Sequence, residues 1–139
     1  MNQARSAEYA AFVLRVSLGV MFIAHALLKY FVFTLPGTAQ FFASLGLPGF
    51  LGYVTFGAEL VGGILLIAGV GTRIVALALV PILLGATWVH AGNGWLFTAP
   101  NGGWEYPAFW TVALVVQALL GDGAFAFRAG SAPRALQRA

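Results

Sequence analysis

Five ionisable side chains lie in or beside long apolar stretches, where a charge is costly. His25 and Lys29 lie in the first stretch, Glu59 in the second, and His90 and Glu105 at the edges of the third and fourth. Burying an ionisable group in hydrocarbon is unfavourable unless it is paired, so each is a candidate functional group. Histidine and carboxylate side chains can exchange protons, and a lysine can stabilise developing negative charge.

Four continuous apolar stretches must position these side chains. They run over residues 9–33, 50–69, 74–91 and 106–120. Each approaches or reaches the roughly 20 residues that a helix needs to cross hydrocarbon. Their apolar residues do not alternate with polar ones, which favours helices over barrel strands. We therefore predict an all-α, integral membrane four-helix bundle over residues 1–128, followed by a short basic tail over residues 129–139.

The composition supports a membrane protein. Of the 139 residues, 60% are hydrophobic and 8% are charged, whereas soluble domains carry roughly 25% charged residues. The net charge of +3 rests on few scattered residues, which argues against nucleic-acid binding. The chain has no cysteine, so electron or sulfur chemistry would need a partner or a bound cofactor.

The basic residues predict the orientation. Apart from Lys29, which lies toward the other side, they occur at or near the N-terminus, in the second connection and in the tail, namely at Arg5, Arg15, Arg73, Arg128, Arg134 and Arg138. The connections over residues 34–49 and 93–104 contain neither Lys nor Arg. The positive-inside rule then places both termini in the cytoplasm, and Arg15 and Arg73 anchor the inner face.

Ala24-His25-Ala26 resembles a signal cleavage site, but Arg15 interrupts the apolar run, so we expect an uncleaved first span.

The helical rise predicts that His25 and Glu59 lie at a similar depth. His25 lies about 12 Å below the outer end of its helix and Glu59 about 14 Å below the outer start of its own. Lys29 lies one turn above His25 on the same face. A hydrogen-bonded structural pair and a ligand-binding role are both open for His25 and Glu59. For Lys29, the alternative to a ligand-binding role is snorkelling to the interface.

Several aromatic residues gather at the same end of the bundle, namely Trp88, Trp95, Trp104 and Tyr106. They form either an interfacial belt or a wall for a flat, apolar ring.

The two histidines and two carboxylates have no metal-binding helical spacing, so no metal site is predicted. In the first connection, Phe41, Phe42, Leu45 and Leu47 are too apolar for a solvated loop, which predicts a segment lying against the membrane surface.

Several short segments together resemble the DoxX family of bacterial membrane proteins. They are Leu14-Arg15-Val16-Ser17-Leu18-Gly19-Val20-Met21-Phe22 with His25 and Lys29, Gly57-Ala58-Glu59-Leu60-Val61-Gly62-Gly63, Gly71-Thr72-Arg73, His90-Ala91-Gly92-Asn93-Gly94, and Gly102-Gly103-Trp104-Glu105-Tyr106-Pro107. The resemblance implies a four-helix protein of the bacterial inner membrane. Some members of the family are subunits of thiosulfate:quinone oxidoreductases, and others associate with enzymes of oxidative stress and sulfur metabolism.

Two functions follow from these patterns. In the first, a redox-associated subunit binds a quinone or similar lipophilic molecule in an outward-facing polar pocket and works with partner redox subunits. The ligand-binding residues would be His25, Lys29, Glu59, His90, Trp104, Glu105 and Tyr106; no residue is assigned as catalytic. In the second, a non-enzymatic membrane scaffold or lipophile-binding protein uses the same polar cluster as a structural lock between its helices.

Overall fold

The computed structural model describes residues 1–127, and the regular secondary structure of this part of the chain is entirely helical, without strands. The helices are α1 (Gln3–Phe31), α2 (Leu35–Ser44), α3 (Phe50–Ala68), α4 (Thr72–His90) and α5 (Glu105–Leu120), with a 3₁₀ turn at Ala91–Asn93. Each predicted apolar stretch forms one long helix, which confirms the all-α fold. The basic tail over residues 129–139 lies outside the described residues.

Three of these helices are long and apolar enough to cross a membrane, as expected for a membrane helical bundle. They are α1, α3 and α4 together with its 3₁₀ turn. Helix α5 is also apolar but has 16 residues, fewer than the roughly 20 that a perpendicular crossing needs. A fourth crossing by α5 therefore stays a prediction.

The helix boundaries follow from capping residues and glycines. The Asn2 side chain accepts a hydrogen bond from the Arg5 backbone N–H at the start of α1, and Thr34 does the same for Gly37 at the start of α2. Helix α3 ends at Ala68 and is capped by Gly69, whose φ of 78° lies in the left-handed region that glycine adopts without a Cβ clash. These signals permit the short connection from α3 to α4.

Helices α1, α3, α4 and α5 enclose a common apolar core. Its fully or nearly buried members are Leu18, Phe22, Leu66, Ala76, Leu79, Leu83, Trp110 and Leu114. Large apolar side chains such as Ile74, Phe109 and Leu119 point away from this core and are exposed. An exposed surface this rich in large apolar groups is suited to contact with lipid rather than water.

Two glycines allow α1 and α3 to pack backbone against backbone. A Cβ atom on Gly19 would lie 2.7 Å from the carbonyl oxygen of Gly63, and one on Gly63 would lie 2.8 Å from that of Gly19. Neither distance is compatible with a side chain. Small residues at such crossings let membrane helices approach closely. The pairing also shows that α1 and α3 run antiparallel, because Ile67 contacts Gly19 and Ile23 contacts Gly63.

Arg15 is completely buried and acts as a structural anchor. Its guanidinium donates hydrogen bonds to the carbonyl oxygens of Leu66 and Ile67 at the end of α3, at 2.8 and 2.7 Å. It also donates to those of Asp122 and Ala124, at 3.0 and 2.9 Å. Arg15 thereby satisfies α3 carbonyls that have no partner within their own helix, and it ties α1 to the segment after α5.

The apolar connection between α1 and α3 contains helix α2. The sequence predicted a segment lying against the membrane surface here from the apolar residues Phe41, Phe42, Leu45 and Leu47, and α2 includes the first two of them. Helix α2 packs on the first turn of α3, where a Cβ on Gly52 would lie 3.2 Å from the Ala39 Cα. Whether α2 lies on the membrane surface stays a prediction.

Candidate functional site

A buried ion pair joins α1 to α3. Lys29 Nζ lies 3.0 Å from Oε2 and 3.1 Å from Oε1 of Glu59. Glu59 is only 5% exposed, so its carboxylate faces the interior of the bundle rather than lipid. Sequence reasoning placed Glu59 beside His25, whereas in the structure Lys29 is its hydrogen-bonded partner. The ammonium group of Lys29 is therefore directed at a buried carboxylate.

The direction of side chains in a helix explains this pairing. From the Gly19–Gly63 crossing, Lys29 lies ten residues along α1 and Glu59 four residues along α3, or about 15 and 6 Å at the helical rise. Helical side chains tilt toward the N-terminus of their own helix. Because α1 and α3 are antiparallel, the tilts of Lys29 and Glu59 converge, and the two long side chains close the remaining gap.

His25 is held by its own helix and by aromatic rings. Its Nδ1 lies 2.8 Å from the backbone carbonyl oxygen of Met21. The Trp110 ring of α5 packs edge-on against the imidazole with a centroid distance of 4.8 Å. Tyr106, one turn earlier on α5, stacks at 6.4 Å. The orientation of His25 is therefore fixed by a carbonyl and two rings rather than by Glu59.

The ion pair and His25 line one partly open cavity of about 160 Å³. Its walls come from α1, α3, α4 and α5. The lining residues are His25, Lys29, Glu59, Ile82, Leu83, Ala86, His90, Tyr106, Pro107 and Trp110. For scale, an engineered apolar cavity of about 150 Å³ binds benzene. The space is therefore suited to a single six-membered ring.

His90 reaches the cavity from the last turn of α4 and is supported by the loop that follows. The Asn93 side-chain nitrogen lies 3.5 Å from His90 Nδ1 and donates to the Gly102 carbonyl oxygen at 2.9 Å. This contact links the 3₁₀ turn and the loop before α5 to His90 in the cavity wall.

The structure brings together five of the seven predicted ligand-binding residues around this cavity: His25, Lys29, Glu59, His90 and Tyr106. The other two, Trp104 and Glu105, are not among its lining residues. Trp104 is exposed at the start of α5, and the Glu105 backbone N–H donates to the Trp95 carbonyl oxygen. Trp88 and Trp95 are likewise exposed, which suits an interfacial belt.

Sequence reasoning missed Trp110, which packs between His25 and Phe22 in the core. Trp110 is an ordinary apolar residue of the fourth stretch by composition. Its spacing of one helical turn from Tyr106 was the available signal, because residues four apart share a helix face. Pro107, Ile82, Leu83 and Ala86 also line the cavity without any chemical signature in the sequence.

The sequence profile of the DoxX family matches residues 10–92, which extend from the first part of α1 to the 3₁₀ turn after α4. The chain belongs to the DoxX family. The matched part of this DoxX protein contains Arg15, both crossing glycines, the ion pair and the two histidines. The cavity wall provided by α5 lies beyond it.

A Bacillus subtilis (strain 168) protein named "Putative oxidoreductase CatD" is similar to this DoxX protein, with 43% identity over 82 residues. The alignment covers 59% of this chain and 60% of the relative. No solved structure matches the chain.

Proposed function

We propose that this DoxX protein binds a quinone or a similar lipophilic ring compound in the cavity and serves as a redox-associated subunit of the bacterial inner membrane. The observation that carries the proposal is the buried Lys29–Glu59 pair beside His25 in a space of single-ring size. The name of the Bacillus relative supports a redox role.

The lining residues fit a ring with polar oxygens. Tyr106 and Trp110 provide aromatic walls, and Lys29 provides a cation that can stabilise negative charge developing on an oxygen. His25 and Glu59 can accept or return protons. A bound quinone would supply two-electron, two-proton redox chemistry. Since the chain has no cysteine, the electrons would come from a partner subunit or another bound cofactor.

The proposal includes an orientation. With both termini cytoplasmic, the end of the bundle that contains Lys29 and His90 faces outward, since the connections at that end lack basic residues. A lipophilic ring compound could then enter the partly open cavity from the outer half of the bilayer.

A non-enzymatic scaffold is the second candidate function. The ion pair joins α1 to α3, which would equally lock the bundle. The two candidates differ in the expected effect of neutralising Glu59. In the quinone-binding protein, Glu59→Gln abolishes ligand binding while the bundle still folds. In the scaffold, the same substitution leaves binding of any lipophile unaffected. Loss of a buried ion-pair partner lowers thermal stability in either case, so ligand binding is the measurement that separates the two candidates.

The experiment starts from the protein purified from its native membrane. Solvent extraction followed by absorbance spectroscopy detects any quinone that copurifies, and a short-chain quinone is then titrated into the detergent-solubilised protein. We expect saturable binding to the wild-type protein and no detectable binding to the Glu59→Gln variant. Glu105→Gln is the matched control, because Glu105 does not line the cavity. A preparation that contains no quinone and binds none when it is added would refute the proposal.

A further inference from the structure

The two histidines of the cavity differ in the hydrogen-bonding role of their Nε2 atoms. His25 Nδ1 lies 2.8 Å from the Met21 carbonyl oxygen, and a carbonyl oxygen only accepts hydrogen bonds. Nδ1 of His25 must therefore carry a hydrogen. In the neutral imidazole, Nε2 of His25 is then an unprotonated acceptor.

His90 has the opposite arrangement. The Asn93 amide nitrogen is identified as the donor end of its side chain, since it lies 2.9 Å from the Gly102 carbonyl oxygen. The same nitrogen lies 3.5 Å from His90 Nδ1. The amide has two hydrogens: one is donated to Gly102, and the other lies within reach of both the Asn101 carbonyl oxygen, at 3.4 Å, and Nδ1. An amide hydrogen shared with Nδ1 favours the tautomer in which Nδ1 is the acceptor, and we therefore assign Nε2 of neutral His90 as the donor.

The Nε2 atoms of both histidines are available to a ligand. Neither Nε2 makes a hydrogen bond within residues 1–127, and neither is a fully buried atom. The buried side-chain polar atoms without a partner in that part of the chain are Thr72 Oγ1, Trp110 Nε1 and Gln117 Oε1. His25 and His90 both line the cavity, and in their neutral forms these two side chains offer it one acceptor and one donor nitrogen.

We propose that the cavity selects a hydroxylated aromatic ring, with His25 Nε2 accepting the hydrogen bond of a ring hydroxyl and His90 Nε2–H donating to a second ring oxygen. This inference rests on the proposed function and narrows it to the reduced, quinol-like form of the ligand. A carbonyl oxygen at His25 would face a lone pair and gain no hydrogen bond there. A ring hydroxyl donates a hydrogen bond to His25 Nε2, and the same nitrogen is a base that can accept the hydroxyl proton.

Two ring compounds that differ by one methyl group test the inference. 4-Methoxyphenol has one hydroxyl and one ether oxygen, whereas 1,4-dimethoxybenzene has two ether oxygens and cannot donate. Binding to the full-length protein in detergent is measured by calorimetry, with protein-free micelles subtracted to correct for partitioning. We expect 4-methoxyphenol to bind about tenfold more tightly, the effect of one hydrogen bond to a group otherwise left unpaired.

Variants assign the preference to the two histidines. His25→Phe retains an aromatic ring beside Trp110 and should reduce the ratio of the two affinities to about one. His25→Gln restores an acceptor and should restore much of the preference. His90→Phe should weaken both compounds to a similar extent, because each has an oxygen for His90, and should leave the ratio unchanged.

Equal binding of the two compounds to the wild-type protein would overturn the inference. So would a preference that survives in a folded His25→Phe protein. If the wild-type protein binds a short-chain quinone but neither of these compounds, the inference fails while the proposed function stands. If it binds none of the three, both fail.

Discussion

Gly19 and Gly63 contact each other through their backbones: a Cβ on either residue would lie within 2.8 Å of the other's carbonyl oxygen. This contact fixes the separation of α1 and α3 and thereby the register in which Lys29 meets Glu59. The close approach of the two helices at Gly19 and Gly63 therefore determines which side chains face each other several turns further along α1.

Replacing Gly63 by alanine should destabilise the protein by about 1–3 kcal/mol, because the new methyl group overpacks a contact that cannot relax without moving a backbone. Thermal unfolding in detergent measures the effect. Gly57→Ala, on the same helix, is the matched control, since nothing lies within 4 Å of a Cβ there. That substitution should leave stability unchanged or slightly raised. Equal melting temperatures for both variants would contradict the observed crossing.

Removing one member of the buried ion pair should be more harmful than removing both. Lys29→Met leaves the Glu59 carboxylate buried without its cation, which costs about 3–5 kcal/mol. Glu59→Leu leaves the ammonium group of Lys29 without its partner and is also destabilising. The double variant should recover much of the loss, since no charge is left unpaired. A double-mutant cycle of unfolding free energies checks this, and strictly additive effects would argue against a coupled pair.

Arg15→Lys should destabilise the bundle by about 2–4 kcal/mol, although it conserves the charge. A lysine ammonium cannot reproduce the geometry with which the guanidinium binds carbonyl oxygens of both α3 and the segment after α5, and buried acceptors left unpaired are costly. Chemical or thermal unfolding measures the change. Arg5→Lys, at an exposed position, should change stability by less than about 0.5 kcal/mol.

Single cysteines introduced in α2 and at Leu45, directly after it, should show whether this segment lies on the membrane surface. The natural chain has no cysteine, so each labelling reaction reports on one position. Cysteines at Phe41, Phe42 and Leu45 should react slowly with a water-soluble maleimide in intact membranes, because lipid covers them. A cysteine at the exposed polar position Gln40 should react quickly. Rapid labelling at all four positions would place α2 in water.

Reporter fusions should locate the chain termini. A reporter that is active only in the periplasm should be silent at the C-terminus and active when inserted in the connection over residues 34–49, which lacks basic residues. An active reporter at the C-terminus would mean that the orientation is reversed or that α5 does not cross the membrane.

The sequence by itself determined the helices and the depth of the polar residues. A continuous apolar stretch in a charge-poor chain predicts a helix, because lipid leaves backbone polar groups no other partner than their own helix. The constant rise per residue then predicted that His25 and Glu59 lie at similar depths, and both line one cavity.

Only the tertiary structure decided which groups face one another. The helical rise gives the height of a residue but not the rotation of its helix relative to a neighbour. That rotation depends on the Gly19–Gly63 contact and on packing of the whole core. This rotation pairs Glu59 with Lys29 rather than with His25. It also places Trp110 in the cavity wall and leaves Glu105 outside the cavity. Arg15 is likewise buried among backbone carbonyl oxygens. These acceptors belong to segments far from Arg15 in the sequence, so only the tertiary structure identifies them.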